Sequence, residues 1–423
     1  MKDFVWDVMV IGGGPAGMMA AGRAAELGAK VILLEKNDSL GKKLLITGGG
    51  RCNITNAEFD NRKLLEKFKD DGKFLFSAFS QWSVKETLDF FHNRNMETKT
   101  EPGQRVFPVS NRSQSVWNVM VEYIKKNNVT VLSNSPVTDL IMSDDKKNIT
   151  GIKIKNKNIY ACSVIVATGG TSHPETGSTG DAYKWLKYIG HKIIETAPSL
   201  VPLAAKDKWI KKLAGVSLND IKLTIFLNGV KQNFRKKSSA KIGKILFTHV
   251  GISGPTILNM SKDVSDILSF GDVVVSLDLL PNLDQEKLNL KLLEIFKEND
   301  KKKFKNCLSS LIPSAIIPVI TDLSGIDPEM QCNSVTREGR MKLVNLLKNI
   351  PIHIDKLLGL DMAVISSGGV PLNEVDFKTM RSRIFPNLYL IGDILNVDRP
   401  TGGYGLQLCW TTGFVAGTSA ANK

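Results

Sequence analysis

The sequence predicts an α/β protein: a Rossmann-like dinucleotide-binding domain carrying an inserted antiparallel β-barrel-like domain and a small helical domain. Three observations carry this expectation. The chain opens on a strand, a glycine-rich turn, a helix and a second strand, Asp7–Glu35, reading DVMVIGGGPAGMMAAGRAAELGAKVILLE. Two later apolar runs, Cys162–Thr168 and Asn387–Gly392, also end on glycine, at Gly169-Gly170 and Gly392-Asp393, as strands do where such a sheet turns toward a ligand. Between them, from Ala197, the composition shifts to short strands with basic turns and then to helical periodicity.

A chain of 423 residues is too long for one hydrophobic core. The expected divisions are 1–194 and 363–423 for the two parts of the dinucleotide domain, 195–283 and 350–362 for the β insert, and 284–349 for the helical insert.

The opening unit has a physical job for each part. Asp7–Ile11 is a short β-branched run bounded by glycine, which reads as a buried strand. Gly12 permits the tight strand-to-helix turn, Gly14 lets the backbone approach a pyrophosphate, and Gly17 lets helix and strand pack closely. Pro15 and Ala16 open a helix whose N-terminal N–H groups suit phosphate oxygens, and Gly28 closes it. The second strand, Lys30–Leu34, ends on Glu35, 18 residues after Gly17, where a carboxylate can accept from ribose hydroxyls. Lys36 follows it.

The loop Lys36–Asn56, KNDSLGKKLLITGGGRCNITN, is dense in glycine and polar side chains and can supply N–H donors to a flavin ring and its phosphates. Arg51, Cys52 and Asn53 are its reactive types, with Lys42 and Gly49 beside them; a small buried packing residue is the plainer role for Cys52. Phe59–Asn95 reads as a helical connection, Gly103–Pro108 as a turn into a strand, Ser113–Lys126 as an amphipathic helix and Val129–Leu132 as a strand. Val137–Met142, Ile149–Ile154 and Ile159–Ala161 suggest an antiparallel meander. After Cys162–Thr168 come the polar loop Ser172–Tyr183 and a helix, Ala182–Ile189.

In the insert, strands are expected at Leu200–Leu203, Ile221–Leu227, Val230–Phe234, Lys244–Phe247 and Val273–Leu277, with Asn228-Gly229 as a hairpin turn. Helices are expected at Asp284–Lys297, Lys303–Leu311, Ala315–Leu323 and Thr336–Lys348. No second G-x-G-x-x-G occurs there, so a separate nicotinamide domain is not expected. The chain returns through Ala363–Ser366, Gly368-Gly369-Val370 and Asn387–Gly392; Asp393 is placed for the ribityl hydroxyls of FAD. Gly402, Gly403 and Tyr404 then open the last helix, Leu406–Ala421, whose N-terminus suits the negative charge of a reduced flavin.

Hydrophobic content of 42% and charged content of 23% are ordinary for a globular protein. No run of 18 apolar residues lacks glycine or charge, so no membrane span is expected. The five cysteines are scattered without C-x-x-C, which points to a reducing cytoplasm, no metal site and no disulfide framework. The net charge is +14, and Ala205–Ile245 holds eleven Lys/Arg against two acids, a local +9. Such a segment points to a polyanionic partner, with Lys231, Arg235, Lys236, Lys237 and Lys241 as leading RNA contacts.

The motifs GKKLLITGGGRCNITN, ATGGTSHPETGSTGDAY, LFTHVGISGP and LYLIGDILNVDRPTGGYGLQ resemble the BaiN/YhiN-like family of bacterial flavoproteins, with a glutathione-reductase-like FAD fold, and the likeness runs from end to end. The resemblance implies an FAD Rossmann domain with inserted β-barrel and helical domains. It carries over Gly12, Gly14, Gly17, Glu35, Lys42, Asn53, Gly392 and Asp393 as FAD contacts. With them the expected cofactor set takes in Pro15, Ala16, Lys36, Gly49, Arg51, Cys52, Val137, Thr168, Gly169, Gly170, Gly402, Gly403 and Tyr404. Gly405-Leu406-Gln407 departs from the family pattern, which carries Asn before an aromatic. The implied activity is reduction of an activated C=C bond: a uridine of 23S ribosomal RNA in one branch, a bile-acid-type enone in another, with amine oxidation also attached to relatives. NAD(P)H is the expected transient electron donor. Cys52, Tyr404, His249 and His173 are the candidate proton donors, Cys52 first because its loop is expected along the flavin.

Overall fold

The computed structural model describes residues 5–155, 157–232, 240–359, 361–363 and 365–422. Two compact units share the chain: Met1–Ser199 with Leu360–Lys423, and Leu200–Gly359 between them.

The first unit begins with β1 (Val5–Ile11), α1 (Pro15–Glu26) and β2 (Val31–Leu34). Val8, Met9 and Val10 are all fully buried, without alternation, as a parallel strand covered on both faces requires. Three short helices over Asn61–His92 and a three-stranded antiparallel sheet (Thr55–Asn56, Thr98–Glu101, Arg105–Pro108) follow. Then come α2 (Ser113–Lys126), β3 (Thr130–Leu132), β4 (Val137–Met142), β5 (Ile149–Ile154) and β6 (Lys157–Val166). The sequence suggests two separate runs where β6 is one strand. Its first residues pair antiparallel with β5 and the rest parallel with β1, and Tyr160 faces both Gly151 and Val5.

The second unit contributes β7 (Leu203–Ala205), β8 (Ser217–Leu227), β9 (Ala240–Phe247), β10 (Gly251–Ser253), α3 (Pro255–Leu268), β11 (Val273–Asp278), α4 (Gln285–Glu298), α5 (Arg337–Lys348) and β12 (Ile350–Leu357). Six strands form a closed antiparallel barrel in the order β8-β9-β10-β7-β12-β11, with β11 pairing back to β8. The 11 residues of β8 give it length to pair on both edges. Ile350, Ile352 and Ile354 are buried in alternation with exposed neighbours, the period-2 signature of a strand with one face on a core. Asn228 and Gly229 take φ of 48° and 77°, the left-handed pair of a tight hairpin turn. In the helical module Asp284 caps α4 by accepting from Lys287 N at 2.8 Å, and Thr336 caps α5 by accepting from Gly339 N at 3.0 Å.

One element was not anticipated and one expectation needs correction here. The segment around Pro255, to which the sequence reading assigns no element, is a 14-residue helix; proline at the first helical position is a favoured opening. Cys307 and Cys332 are joined as a disulfide, against the expectation of no disulfide. They lie 25 residues apart, a separation with no local signature, and packing of the helical module brings them together.

The chain returns to the first unit with β13 (Leu388–Leu390) and α6 (Tyr404–Ala421). The main sheet carries five parallel strands in the order β3-β2-β1-β6-β13. Helix α6 is apolar on nearly every side and buried, as expected of a helix inside a core. It lies against α1 through glycine: a Cβ on Gly413 would stand 2.6 Å from Ala16 O, and one on Gly417 2.5 Å from Ala20 O. Among the described residues no helix is long and apolar enough to cross a membrane.

Candidate active site

Ile11, Leu34, Ala167 and Ile391, at or just past the carboxyl ends of β1, β2, β6 and β13, line one open cleft with about 1260 Å³ of empty volume. This is where open α/β sheets bind ligands. Gly12 has φ +104°, and a Cβ there would lie 2.5 Å from Ala167 O; a Cβ on Gly17 would lie 1.9 Å from Gly12 O. Both positions therefore exclude any side chain. Gly14, which caps α1 without a side-chain hydrogen bond, has nothing within 4 Å of its Cβ position. The backbone is bare there and faces the cleft, so a phosphate can approach the first-turn N–H groups. A second helix start, Gly405 and Leu406 in the first turn of α6, lines the same cleft, also without a side-chain cap.

Glu35 is buried at the end of β2. Its carboxylate accepts from Gly13 N and Asn37 N, each at 2.8 Å, which fixes it on the cleft wall with lone pairs to spare. Lys36 reaches across to Asp181 at 2.9 Å and to Thr179 at 2.5 Å, and Asn37 Nδ2 donates to Thr176 O at 2.9 Å. These contacts hold the polar loop before Asp181 along one side of the cleft, where Gly177, Ser178 and Gly180 line it.

The same cleft holds a charged cluster. Arg399 is buried and pairs with Asp393, while Lys43 Nζ lies 3.9 Å from the Asp393 carboxylate and 2.5 Å from Ser172 Oγ. Burial pushes the Asp393 carboxyl upward, but Arg399 and Lys43 outweigh it and hold the group below the usual carboxylate range. Burial lowers the Lys43 ammonium, against the pull of Asp393. The side-chain oxygen Thr168 Oγ1 and the Arg399 Nε are buried without a hydrogen-bond partner, and both residues line the cleft. A dinucleotide with hydroxyls, phosphates and a heteroaromatic ring would meet such groups; the donor set fits FAD.

Of the residues singled out in the sequence, Gly12, Gly14, Pro15, Ala16, Glu35, Lys36, Lys42, Val137, Thr168, Gly169, Gly392 and Asp393 line the cleft. Lys42 does so while paired with Asp38 at 2.9 Å. Its neighbour Lys43, half-buried, is the one that reaches Asp393, and neither it nor Arg399 was distinguishable from surface cations in sequence. Cys52, Gly49, Arg51, Asn53, Gly170, Gly402, Gly403 and Tyr404 are not among the lining residues. The Cys52 thiol is wholly enclosed in the hydrophobic core of this unit, and burial pushes its pKa far up. Arg51 lies over the Phe107 ring at 4.2 Å and donates to Asn111 Oδ1 at 2.7 Å. Gly170 packs on Ser366, and Gly403 on the Thr55 backbone. Asn53 Oδ1 is buried without a partner. Tyr404 meets the Phe68 ring edge-on at 6.0 Å, and burial raises its phenol pKa. His173 is held by Glu175 at 2.8 Å. His249 is exposed on the turn between β9 and β10, in the other unit.

The basic segment belongs to the second unit. Lys231 is exposed. Lys241, Lys206 and Lys212 pair with Asp263, Asp272 and Asp322 at 2.9, 3.0 and 2.7 Å, so acids from outside the segment offset part of its charge. Arg235, Lys236 and Lys237 lie outside the described residues. Among the described residues no group of His, Cys, Asp and Glu could hold a metal.

A family model described as HI0933-like protein Rossmann domain matches residues 6–419. The chain belongs to this family. Among its relatives is the 3-dehydro-bile acid delta(4,6)-reductase of Clostridium scindens, 30% identical over 421 residues and covering 98% of each chain. The ribosomal RNA dihydrouridine synthase of Escherichia coli is 27% identical and covers 96% of each. The chain shares its fold with distant oxidoreductases: the 3-ketosteroid delta1-dehydrogenase of Sterolibacterium denitrificans superposes on it with a TM-score of 0.55 at 15% identity, over 99% of both chains. The chain is a flavoprotein oxidoreductase with a Rossmann-like FAD-binding fold.

Proposed function

We propose that this chain is an FAD-dependent reductase of a C=C bond conjugated to a carbonyl, and that the bond is C5=C6 of a uridine in ribosomal RNA. The observation that carries the cofactor assignment is the convergence of two uncapped helix starts, Glu35 and the Lys43–Asp393–Arg399 cluster on one cleft. When bound, FAD supplies hydride to an electron-poor carbon, with NAD(P)H as its proposed source of electrons. Gly14 and the first turn of α1 would hold the diphosphate, Glu35 the adenosine ribose, and Asp393 the ribityl chain. The local +9 of Ala205–Ile245 and the relative named for ribosomal RNA support the RNA substrate. Nucleoside analysis of ribosomal RNA from a strain lacking the gene tests it: one dihydrouridine should disappear and return on complementation. An unchanged dihydrouridine content would remove this substrate.

A second reading, a small-molecule enone reductase, is favoured by the 30% identical relative named for a bile acid and by the acid partners of Lys206, Lys212 and Lys241. Reduction of a 3-keto-4-ene steroid by the purified, reduced protein would favour it.

A further inference from the structure

We propose that Arg399 tunes the redox potential of the bound flavin: its unpartnered Nε–H, left uncovered by Gly405, donates to a ring oxygen that gains negative charge when the flavin is reduced. The inference rests on the FAD reading above and deepens it. Arg399 is 4% exposed. Its Nη2 bonds Asp393 and its Nη1 donates to Val397 O at 3.1 Å, while Nε has no acceptor. A guanidinium whose two Nη atoms each donate to protein while its buried Nε–H has no acceptor, on a cleft wall, calls for a ligand acceptor.

Gly405 is the reason that edge stays open. A Cβ built on it would lie 3.1 Å from Arg399 Nε, so a longer side chain would cover the donor. Position and redox state point to the ring rather than the diphosphate. The diphosphate has its own partners in Gly14 and the first turn of α1, whereas Arg399 stands beside Gly405 in the first turn of α6, whose uncapped start adds positive charge there. A diphosphate is negative in both redox states, so a contact with it would leave the potential unchanged. The ring is neutral when oxidised and gains one negative charge when reduced, which a fixed cation beside it favours.

The test uses the FAD-loaded protein and two variants. Gly405→Asn places a side-chain carbonyl against Nε; its Cβ would stand 3.7 Å from Nη2, an ordinary contact that leaves room for the Arg399–Asp393 pair. Arg399→Lys keeps the charge and removes the Nε–H. Midpoint potentials are read by spectroelectrochemistry, and affinity for oxidised FAD by fluorescence titration. Each variant should bind reduced flavin about tenfold less tightly relative to oxidised flavin, a fall of about 30 mV for the two-electron couple. An unchanged potential in both folded variants overturns the proposal. Weakened oxidised FAD with an unchanged potential also overturns it and moves Arg399 to the diphosphate. A wild-type protein that takes up no FAD would remove the cofactor reading itself and this proposal with it.

Discussion

At the scale of single residues, burial separates the reactive types that sequence leaves equal. Cys52 and Lys43 both sit in the glycine-dense loop after β2, yet the thiol is enclosed in the core and the ammonium reaches the cleft. Cys52→Ala should therefore leave FAD bound and turnover near wild type, with a stability loss of about 1 kcal/mol, the common size for a small core truncation. A fall in turnover of about 10²-fold with FAD retained would instead make the thiol a proton donor. Lys43 and Arg399 were illegible for the opposite reason: cations are abundant in this chain, and only tertiary packing shows which two lie beside Asp393. His191 is a further case. It is buried, its Nδ1 2.6 Å from Glu374 and its Nε2 2.9 Å from Ser382 Oγ. Burial depresses its pKa below the ordinary 6.5, against the pull of Glu374. The unfolded chain then binds this proton more readily than the folded one, so stability falls as pH drops through about 6.5 toward the depressed folded value. His191→Gln should flatten that part of the stability-versus-pH curve, read by denaturant titration from pH 7.5 to 5; an unaltered slope would show that His191 is not its source.

At the scale of elements, the opening unit was the most legible part because its glycines have one physical use each. Gly12 and Gly17 admit no Cβ, and Gly14 stands bare over the cleft, as the spacing implied. The terminal helix was legible as a helix, but its partner was not: Gly413 and Gly417 read only as small residues in an apolar run, and the structure shows them as the contact with α1. Helix α3 was missed because glycine and proline punctuate its start. Gln407, the last residue of the Gly405-Leu406-Gln407 stretch that departs from the family pattern, ties elements together and is not among the cleft-lining residues. It accepts from Thr55 Oγ1 at 2.6 Å and donates to Thr87 and Thr411 at 3.0 and 3.1 Å, all buried. Both helices whose starts line the cleft meet at Gly413, so Gly413→Val should force α1 and α6 apart. The cost of such overpacking is about 1–3 kcal/mol, and FAD should dissociate more readily at temperatures below unfolding. Thermal shift with and without added FAD checks this; a normal melting temperature and normal FAD retention would mean that the helices absorb the added volume elsewhere.

At the scale of the whole molecule, cleft and charge belong to different units: every residue lining the cleft is in the first, and the Lys206–Lys244 segment is in the second. The charge can therefore be altered with the flavin spectrum as an internal control. Three of its lysines already have acid partners, so its reach toward phosphate rests on the others, Arg235, Lys236 and Lys237 foremost by sequence. Basic side chains that contact phosphate release counterions, and affinity for a single-stranded target should fall by about 0.7 log units per contact for each log unit of salt. Reversing Arg235, Lys236 and Lys237 to Glu should weaken binding to ribosomal RNA fragments and flatten that salt slope by about two, while FAD content and its reduction by dithionite stay unchanged. In cells carrying only the triple variant, the dihydrouridine lost on deletion should fail to return. Full modification in those cells, or binding that ignores salt in the wild-type protein, would take the phosphate-contact role away from this segment and shift the balance to the small-molecule enone.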